Sequence, residues 1–578
     1  MPKDENIVSD EILESETDTA TTVDADATYG LEYTRVLADL SNSAELCSKD
    51  DYMKLITKHY LESNLFNKSK TPSEIQQDLL RLTIDCFQAH NANAEKGEKW
   101  QLPSSLSESQ IADILLFMYP ICRIACAGAN ADVEYDLLAI YQDKGHDKGI
   151  YVTKDNVFNE LIRQFKYNIT SKGISEVKMA MKDLAERKVR CTDRDLIAVN
   201  NGIFNYADKQ LYDFDPKYVF IAKSRVNYNP NATNIVIHNP IDNTDWDVES
   251  WMNELSDNPQ VVNLLWEILG AIIRPHVSWN KSAWFYSNKG NNGKGTLCEL
   301  MRQLCGKESY ASIPLSDFSK DFMLEPLLQA TAIIVDENNV GEFIDKAANL
   351  KAIITNDVIQ LNRKFKTPIA YQFYGFMVQC INEMPRIKDK SDSFYRRQLF
   401  VPFDKCFTGH ERRYIKDDYL GRTEVLEYVL WKVLNMNYYE LSEPDVCVTA
   451  LDDYKMFNDP IKQFVDEFLP CCVWDVLPFA FLYDGYKAWF KKNSPNGSLQ
   501  GKNTFITDLL AVIETTDCGW ICPGRTKAIR TGDKMLKPEP LILVYDLKDW
   551  MNPGYHGPDQ DKVCVPLQRQ TINGLIRI

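Results

Sequence analysis

The stretch from Ala283 to Arg397 constrains the fold most, because apolar strand-like runs alternate in it with polar groups in a fixed order. AWFYSNKGNNGKGTL runs into a glycine-rich turn, TAIIVDEN ends in two acids, and FMVQCINEMP ends in an asparagine. Polar groups that follow the strands of a parallel sheet meet at its carboxyl edge. The order therefore predicts an α/β domain that gathers these groups around a phosphate-bearing ligand, as a nucleotide-hydrolysing motor requires.

The glycine-rich turn, SNKGNNGKGT from Ser287 to Thr296, is the predicted phosphate site. Its backbone N–H groups and the dipole of the following helix favour an anion, and Lys294 can reach the terminal phosphates of a nucleotide. Gly295 stands where a Ser or Thr hydroxyl usually ligates Mg²⁺, so Thr296, one place later, is assigned either to the metal or to an inner phosphate. The residues assigned to nucleotide binding are Gly290, Asn291, Asn292, Gly293, Lys294, Gly295 and Thr296.

The side chains that follow the later strands supply the other groups of such a site. Asp336 is placed to hold Mg²⁺, directly or through water, and Glu337 to polarise the attacking water. Asn382 can orient that water or contact the γ-phosphate without adding negative charge. Arg396 and Arg397, in SFYRRQLFVPF, are candidates for a cation that neutralises the transferring phosphate from a neighbouring subunit. A pair of solvated surface arginines is the alternative.

A basic turn lies between two alternating apolar runs in LKAIITNDVIQLNRKFKTPIAYQFYGF, before the strand that ends in Asn382. A hairpin with cations at its tip suits a ring pore that holds a phosphodiester backbone. Lys364 and Lys366 are the predicted phosphate contacts, and Phe365 is a candidate for stacking on a base. An ordinary solvated hairpin is the alternative.

Composition limits where nucleic acid could bind. The net charge of -17 and the pI near 5.1 exclude a generally basic surface, so any DNA contact must come from local basic patches. The acidic start and the scattered cysteines predict a cytoplasmic protein with free thiols and no secretory signal. Two apolar stretches, QIADILLFMYPICRIACAGA and VVNLLWEILGAIIRPHV, carry charges and are predicted to be buried helices, so no membrane partner is expected.

Composition and periodicity divide the chain into regions around the motor. Residues 1–29 are acidic and poor in large apolar groups, which predicts a disordered tail. Residues 30–151 have the three- and four-residue apolar spacing of a helical domain. Residues 152–260 change from helices to short strands, a small α+β domain with a hairpin at AVNNGIF, and 261–455 form the motor.

Residues 456–578 predict a winged-helix-like domain, with amphipathic helices followed by two strand-like runs in GWICPGRTKAIRTGDKMLKPEPLILVYDL. Arg525, Lys527 and Arg530 would lie on the wing and contact duplex DNA, such as an origin. A charged hairpin in solvent is an equal alternative.

These motifs together resemble those of superfamily-three helicases: the G-x-N-G-K loop, the Asp-Glu strand, the basic hairpin, the strand ending in Asn, and Arg-Arg before VPF. The branch is that of phage, plasmid and poxvirus primase-helicases, including replication proteins of phages and phage-related genetic islands. The resemblance implies an AAA+ hexameric ring that hydrolyses ATP with Mg²⁺ and moves on single-stranded DNA. It gives Lys294 the phosphate role, Asp336 the metal role and Glu337 the water-activating role. Asn382 becomes the sensor, and Arg396 or Arg397 the finger in trans.

Several functions are compatible with this sequence. The leading hypothesis is an ATP-dependent replicative DNA helicase of a phage or mobile element, with host replication proteins as candidate partners. The alternative is an origin-binding initiator whose ATP site controls assembly while another helicase unwinds the duplex. A P-loop ATPase that acts on protein or packages DNA is a remote third, and the basic hairpin argues against it.

Overall fold

The computed structural model describes residues 19–41, 47–339, 343–344, 346–364, 366–493, 499–565 and 570–578. Its largest apolar core is continuous from Ile197 to Cys447, so the region that precedes the motor and the motor itself share one interior. Separate cores lie under the amino-terminal helices and in the carboxyl-terminal region. Throughout the described ranges, every helix is too short or too polar to cross a bilayer.

The amino-terminal region packs helices against a small sheet with the strand order β3-β2-β1-β4. Thr71 with Glu74, and Ser107 with Gln110, form capping boxes that start two of the helices. The elements are α1 (Thr19–Ser41), α2 (Lys49–Glu62), α3 (Pro72–Asn93), α4 (Glu108–Met118), β1 (Ile121–Ala125), β2 (Leu137–Tyr141), β3 (Tyr151–Val152), α5 (Asp155–Phe165), α6 (Ser171–Leu184) and β4 (Glu186–Val189).

The region predicted to be helical from 30 to 151 also contains strands, which corrects the sequence-based prediction. The first apolar stretch is not one helix, because α4 ends and β1 begins on either side of Tyr119 and Pro120. Tyr119 is extended, with φ -121° and ψ 146°, because proline disfavours the helical conformation of the residue before it. The predicted boundary between 151 and 152 falls inside β3, so the sheet joins the two regions.

Helix α1 begins inside the predicted disordered tail. Residues 1–18 lie outside the described residues, but 19–29 are helical. Tyr33 Oη donates to Asp85 Oδ2 at 2.7 Å, and Val36 and Leu40 are buried. These contacts fix the later part of α1, and a helix that is already nucleated gains one hydrogen bond for each residue added. Amino-acid composition alone gives no information about these tertiary contacts.

The region before the motor contains the predicted hairpin, extended into an antiparallel meander of β5, β6 and β7. The second predicted apolar helix is also present, as α8. The elements are β5 (Leu196–Val199), β6 (Gly202–Asn205), β7 (Gln210–Tyr212), β8 (Ile237–Asn239), β9 (Thr244–Trp246), α7 (Val248–Glu254) and α8 (Pro259–Ile273).

The motor is built on a parallel sheet with the strand order β11-β12-β16-β10-β18. The elements are β10 (Ser282–Tyr286), α9 (Lys294–Cys305), β11 (Tyr310–Ala311), β12 (Ala332–Val335), β13 (Phe343–Ile344), α10 (Ala348–Ile354), β14 (Val358–Arg363), β15 (Lys366–Gln372), β16 (Phe376–Ile381), β17 (Arg386–Ile387), α11 (Asp392–Tyr395), β18 (Gln398–Pro402), α12 (Arg413–Asp417), α13 (Thr423–Asn435) and α14 (Asp445–Asn458). The predicted α/β fold class is confirmed.

The carboxyl-terminal region combines helices with an antiparallel sheet of order β19-β23-β20 and a separate β21–β22 pair. The elements are α15 (Pro460–Phe468), β19 (Val476–Pro478), α16 (Phe479–Asn493), α17 (Lys502–Thr515), β20 (Trp520–Ile521), β21 (Ile529–Arg530), α18 (Leu541–Val544), α19 (Gln560–Val563), β22 (Thr571–Ile572) and β23 (Gly574–Arg577).

The prediction that the β20 segment and the run LILV form the two strands of a wing is wrong. Residues 541–544 form helix α18, because Pro540 stands at the helix start, and β20 pairs with β23 at the end of the chain. Glu539 is buried and accepts hydrogen bonds from the N–H groups of Val473 and Trp474, at 2.7 and 3.1 Å. These distant backbone partners hold the segment away from a local hairpin.

His276 is half-buried where the region before the motor meets the motor sheet. Its ring lies 5.5 Å from that of Tyr374 and 6.2 Å from that of Phe220, and its Nδ1 has no hydrogen-bond partner in the described part of the chain. Burial, and then the nearby Arg190 guanidinium, lower the pKa of His276 to about 3.

We expect His276 to make the fold sensitive to acid. Its folded-state pKa lies below the value of about 6.5 in the unfolded chain, so the unfolded chain binds the extra proton and stability falls as the pH drops below that value. The contribution approaches about 1.4 kcal/mol per pH unit. His276→Phe should reduce the fall in melting temperature between about pH 7 and pH 5. His146→Phe, at an exposed position, is the control, and identical profiles for both variants would contradict the prediction.

Candidate functional site

The predicted phosphate turn connects β10 to α9 at the carboxyl edge of the sheet. Asn291 and Gly293 have positive φ angles of 51° and 87°, which turn successive N–H groups inward. The φ of Gly293 would strain any other side chain, and a Cβ there would lie 2.6 Å from Leu255 Cδ2, so the turn favours glycine at this position. Asn292 Oδ1 accepts from the Lys294 N–H at 3.3 Å and braces the turn from within.

Lys294 and Asn382 are in direct contact, at the edge of the sheet where the sequence predicts that both lie. Lys294 is buried, and its Nζ donates to Asn382 Oδ1 at 3.0 Å and to Ser287 O at 3.5 Å. Burial lowers the pKa of Lys294. A buried ammonium held by neutral oxygens gains from a charge-assisted hydrogen bond to an anion. The site therefore fits a phosphate group.

Helix α9 presents Lys294, Cys298 and Arg302 to the sheet at four-residue intervals. Cys298 Sγ lies 3.4 Å from Cys380 Sγ on β16, and Arg302 Nη2 lies 3.0 Å from Asp336 Oδ1. The predicted metal ligand therefore pairs with a cation of the same chain in this structure. Sequence analysis did not single out Arg302, although its spacing from Lys294 places both side chains on the same face of α9.

Asn338 anchors the segment that carries the two acids, and sequence analysis missed it. It is buried, and its Nδ2 donates to Gln379 Oε1 and to Cys380 O, each at 3.0 Å. Its Oδ1 accepts from the Leu315 N–H at 2.9 Å. Asp336 and Glu337, exposed just before it, are thus held against β16 by their buried neighbour.

The arginine pair lies at the opposite edge of the sheet from the phosphate turn. Arg397 directly precedes Gln398, which pairs with Ser282 at the amino end of β10. The turn follows the other end of this strand, about 16 Å away at about 3.3 Å per residue. Arg397 Nη1 donates to Ser393 O, whereas Arg396 is exposed, with no partner for its guanidinium among the residues described. The pair therefore cannot reach the phosphate turn of its own chain.

The predicted basic hairpin is formed by β14 and β15. Lys366 Nζ lies 2.5 Å from Asp155 Oδ2, so the tip contacts helix α5 of the amino-terminal region. Lys364 lies at the same tip, and Phe365 lies outside the described residues. The roles of these three residues in DNA binding stay predictions.

The cations predicted to lie on the wing do not lie on such a hairpin, because the predicted hairpin is not formed. Arg525 donates to Thr507 Oγ1 at 3.1 Å and to Asn503 O at 3.2 Å, so it packs against helix α17. Lys527 and Arg530 are exposed, with Arg530 on the β21–β22 pair.

An open cleft of about 420 Å³ borders the phosphate turn. Thr296, Asn291 and Gly293 line one side of it, and the segment from Phe407 to Asp417 lines the other. Asn291 Nδ2 donates to Glu411 Oε1 at 3.0 Å across one end. The hydroxyl residue predicted as a metal or phosphate ligand therefore borders a space with room for the rest of a nucleotide.

Three family models match separate parts of the chain. The model described as a family of unknown function (DUF5906) matches residues 285–397, which contain the predicted site. "D5 N terminal like" matches residues 128–256, and "Poxvirus D5 protein-like" matches residues 457–539. The inferred resemblance to the phage and poxvirus primase-helicase type is confirmed by the last two models and by a viral relative.

That relative is "Putative helicase 022R" of Frog virus 3 (isolate Goorha), 24% identical over 276 residues. The match covers 42% of this chain and 28% of the relative, so the chain spans less than a third of its length. Solved structures of the apo NrS-1 C-terminal region are 13% identical, with TM-scores of 0.37 and 0.39. They cover 77% and 82% of this chain and 91% and 100% of theirs.

Replacement of Asn338 tests whether it braces the acid-bearing segment. Asn338→Ala should destabilise the motor by about 1–3 kcal/mol, because it leaves buried hydrogen-bonding groups on β16 without a partner. Thermal unfolding of Asn338→Ala, Gln379→Ala and the double variant measures this. The double variant should lose less than the sum of the two single losses, since both disrupt one network. Strict additivity would show that the two amides act separately.

Proposed function

We propose that this chain is an ATP-dependent DNA helicase of the AAA+ superfamily-three type, acting as a ring in the replication of a phage, virus or mobile element. The observation that carries the proposal is the contact between buried Lys294 and Asn382 at the carboxyl edge of the parallel sheet. The strand order supports the AAA+ assignment: β10 lies between β16, which Asn382 follows, and β18, which the arginine pair precedes.

In this proposal the phosphate turn holds the triphosphate, and Lys294 contacts its terminal phosphates. Asn382 is then released from Lys294 to sense the γ-phosphate or the attacking water. Glu337 accepts a proton from that water. When bound, Mg²⁺ neutralises phosphate charge, and Asp336, which already pairs with a cation at 3.0 Å, is the side chain suited to hold it.

Arg396 is the better candidate for the finger that acts in trans. It is exposed at the edge remote from its own phosphate turn, whereas Arg397 donates to Ser393 O within its own chain. A neighbouring copy in a ring can receive a cation from this edge. This arrangement makes each active site incomplete without a second chain, and a hexamer is the proposed assembly.

The remaining elements are assigned to DNA. The β14–β15 hairpin would contact the single strand in the pore through Lys364 and Lys366. In the carboxyl-terminal region, α15, α16 and α17 with the sheet β19-β23-β20 support a winged-helix domain in which a long connection between β20 and β23 replaces a simple wing. Lys527 and Arg530 are its exposed cations for duplex DNA, while Arg525 braces α17.

Lys294→Ala should abolish ATP hydrolysis and strand displacement without loss of folding, because no other buried cation of α9 reaches the phosphate turn in the described structure. Lys289→Ala, at an exposed position of the same turn, is the matched control and should keep most of its activity. A coupled ATPase assay and displacement of a labelled strand by the purified protein measure both. Displacement by Lys294→Ala would overturn the proposal, and hydrolysis without displacement in the wild type would favour the initiator.

Mixing two inactive variants tests the finger. Arg396→Ala keeps an intact Lys294 site, and Lys294→Ala keeps an intact Arg396, so mixed rings contain some complete sites. ATPase activity should return when the two proteins are combined, whereas each alone is inactive. In the control mixture, Arg397→Ala replaces Arg396→Ala and is combined with Lys294→Ala. Failure of every mixture to recover, with ring assembly intact, would contradict action in trans.

A further inference from the structure

A carboxylate of the amino-terminal region lies between two lysines, one from its own region and one from the motor. Asp155, the first residue of α5, accepts from Lys366 on the hairpin at 2.5 Å through Oδ2. Its Oδ1 accepts from Lys178 on α6 at 2.9 Å. Each carboxylate oxygen therefore accepts a hydrogen bond from its own lysine.

The charges of this cluster favour an anion at its centre. Partial burial raises the pKa of Asp155, but hydrogen bonds from Lys366 and Lys178 outweigh it and the net pKa is lowered. Two ammonium groups placed around a pair of anionic oxygens could also bind a phosphodiester group. The carboxylate thus stands where a phosphate would stand.

Another anion can displace Asp155 from its ion pair with Lys366. Asp155 and Lys366 are 50% and 45% exposed, so the ion pair between them is weak and screened by salt. A second ion pair, Lys154 Nζ to Glu308 Oε2 at 2.5 Å, ties the same end of α5 to the motor without involving the hairpin. The two domains can therefore stay together when the Asp155 pairs open.

We propose that Lys178 and Lys366 form one phosphate-binding site for the backbone of single-stranded DNA, and that Asp155 occupies this site in cis until DNA displaces it. The inference rests on the proposed role of the hairpin in DNA binding. It adds Lys178, on α6 of the amino-terminal region, to the DNA path, and it makes Asp155 an internal competitor that weakens DNA binding.

Binding of a labelled oligothymidylate to the full-length chain, followed by fluorescence anisotropy, tests the site. Asp155→Asn removes the competitor and should tighten binding by about fivefold. Lys178→Ala should weaken binding and reduce the slope of log K against log salt by about 0.7, the value for one phosphate contact with a single strand. A merely structural lysine would not change that slope.

Matched variants separate the site from general charge effects. Asp143→Asn makes the same charge change at an exposed position of the same region, and Glu308→Gln opens the other ion pair between α5 and the motor. Both should leave DNA affinity unchanged, and the melting temperature of each variant checks folding. Titration with inorganic phosphate distinguishes a free anion from DNA: a Lys178 effect on phosphate alone would contradict the proposal.

The outcomes also distinguish this inference from the proposed function. If Lys366→Ala weakens DNA binding while Asp155→Asn and Lys178→Ala behave as the wild type, the hairpin binds DNA but the shared site is wrong. If Lys366→Ala leaves affinity unchanged, or the wild type does not bind the oligonucleotide, the hairpin role itself fails.

Discussion

The register of the parallel motor sheet is the constraint on which the rest of the structure depends. Tyr286 pairs with Ile381, so the residues that follow β10 and β16 leave the sheet at the same level. This register places the phosphate turn beside Asn382 and allows the 3.0 Å contact with Lys294. A slip of one residue would send the side chains of β16 to the opposite face and separate the two groups.

Buried polar groups hold this edge in place. Asn338 bonds Gln379, the Cys380 carbonyl and the Leu315 N–H, and Gln379 Nε2 donates to Ile313 O at 3.0 Å. The chain therefore commits both side-chain amides to holding the exits of neighbouring strands together. The network fixes the position of the adjacent acids, and Asp336 also pairs with Arg302.

The same sheet separates the two kinds of group that the proposed chemistry needs. The phosphate turn and Asn382 lie at the carboxyl edge, whereas the arginine pair lies at the amino edge of β10 and β18. The hairpin extends from the motor to α5, where Asp155 contacts it. Contacts between domains and contacts between chains are thus available at surfaces that do not compete with the nucleotide.

The local pattern of the sequence was enough to predict the strands of the motor, the glycine-rich turn after the first of them, and the meeting of Lys294 and Asn382 at one edge of the sheet, because apolar strands with polar ends have few ways to form a parallel sheet. It also predicted the hairpin before β16. The break at Pro120 has a local cause, the restriction that proline places on the residue before it. The limits of α1, the location of Arg302 beside Asp336 and the loss of the wing were instead decided by tertiary structure. In each case the deciding partner is distant in the chain: Asp85 for α1, β12 for Arg302, and β23 with the Val473–Trp474 backbone for the segment around Glu539. Local periodicity contains no information about such partners, since their contribution appears only once the chain has folded.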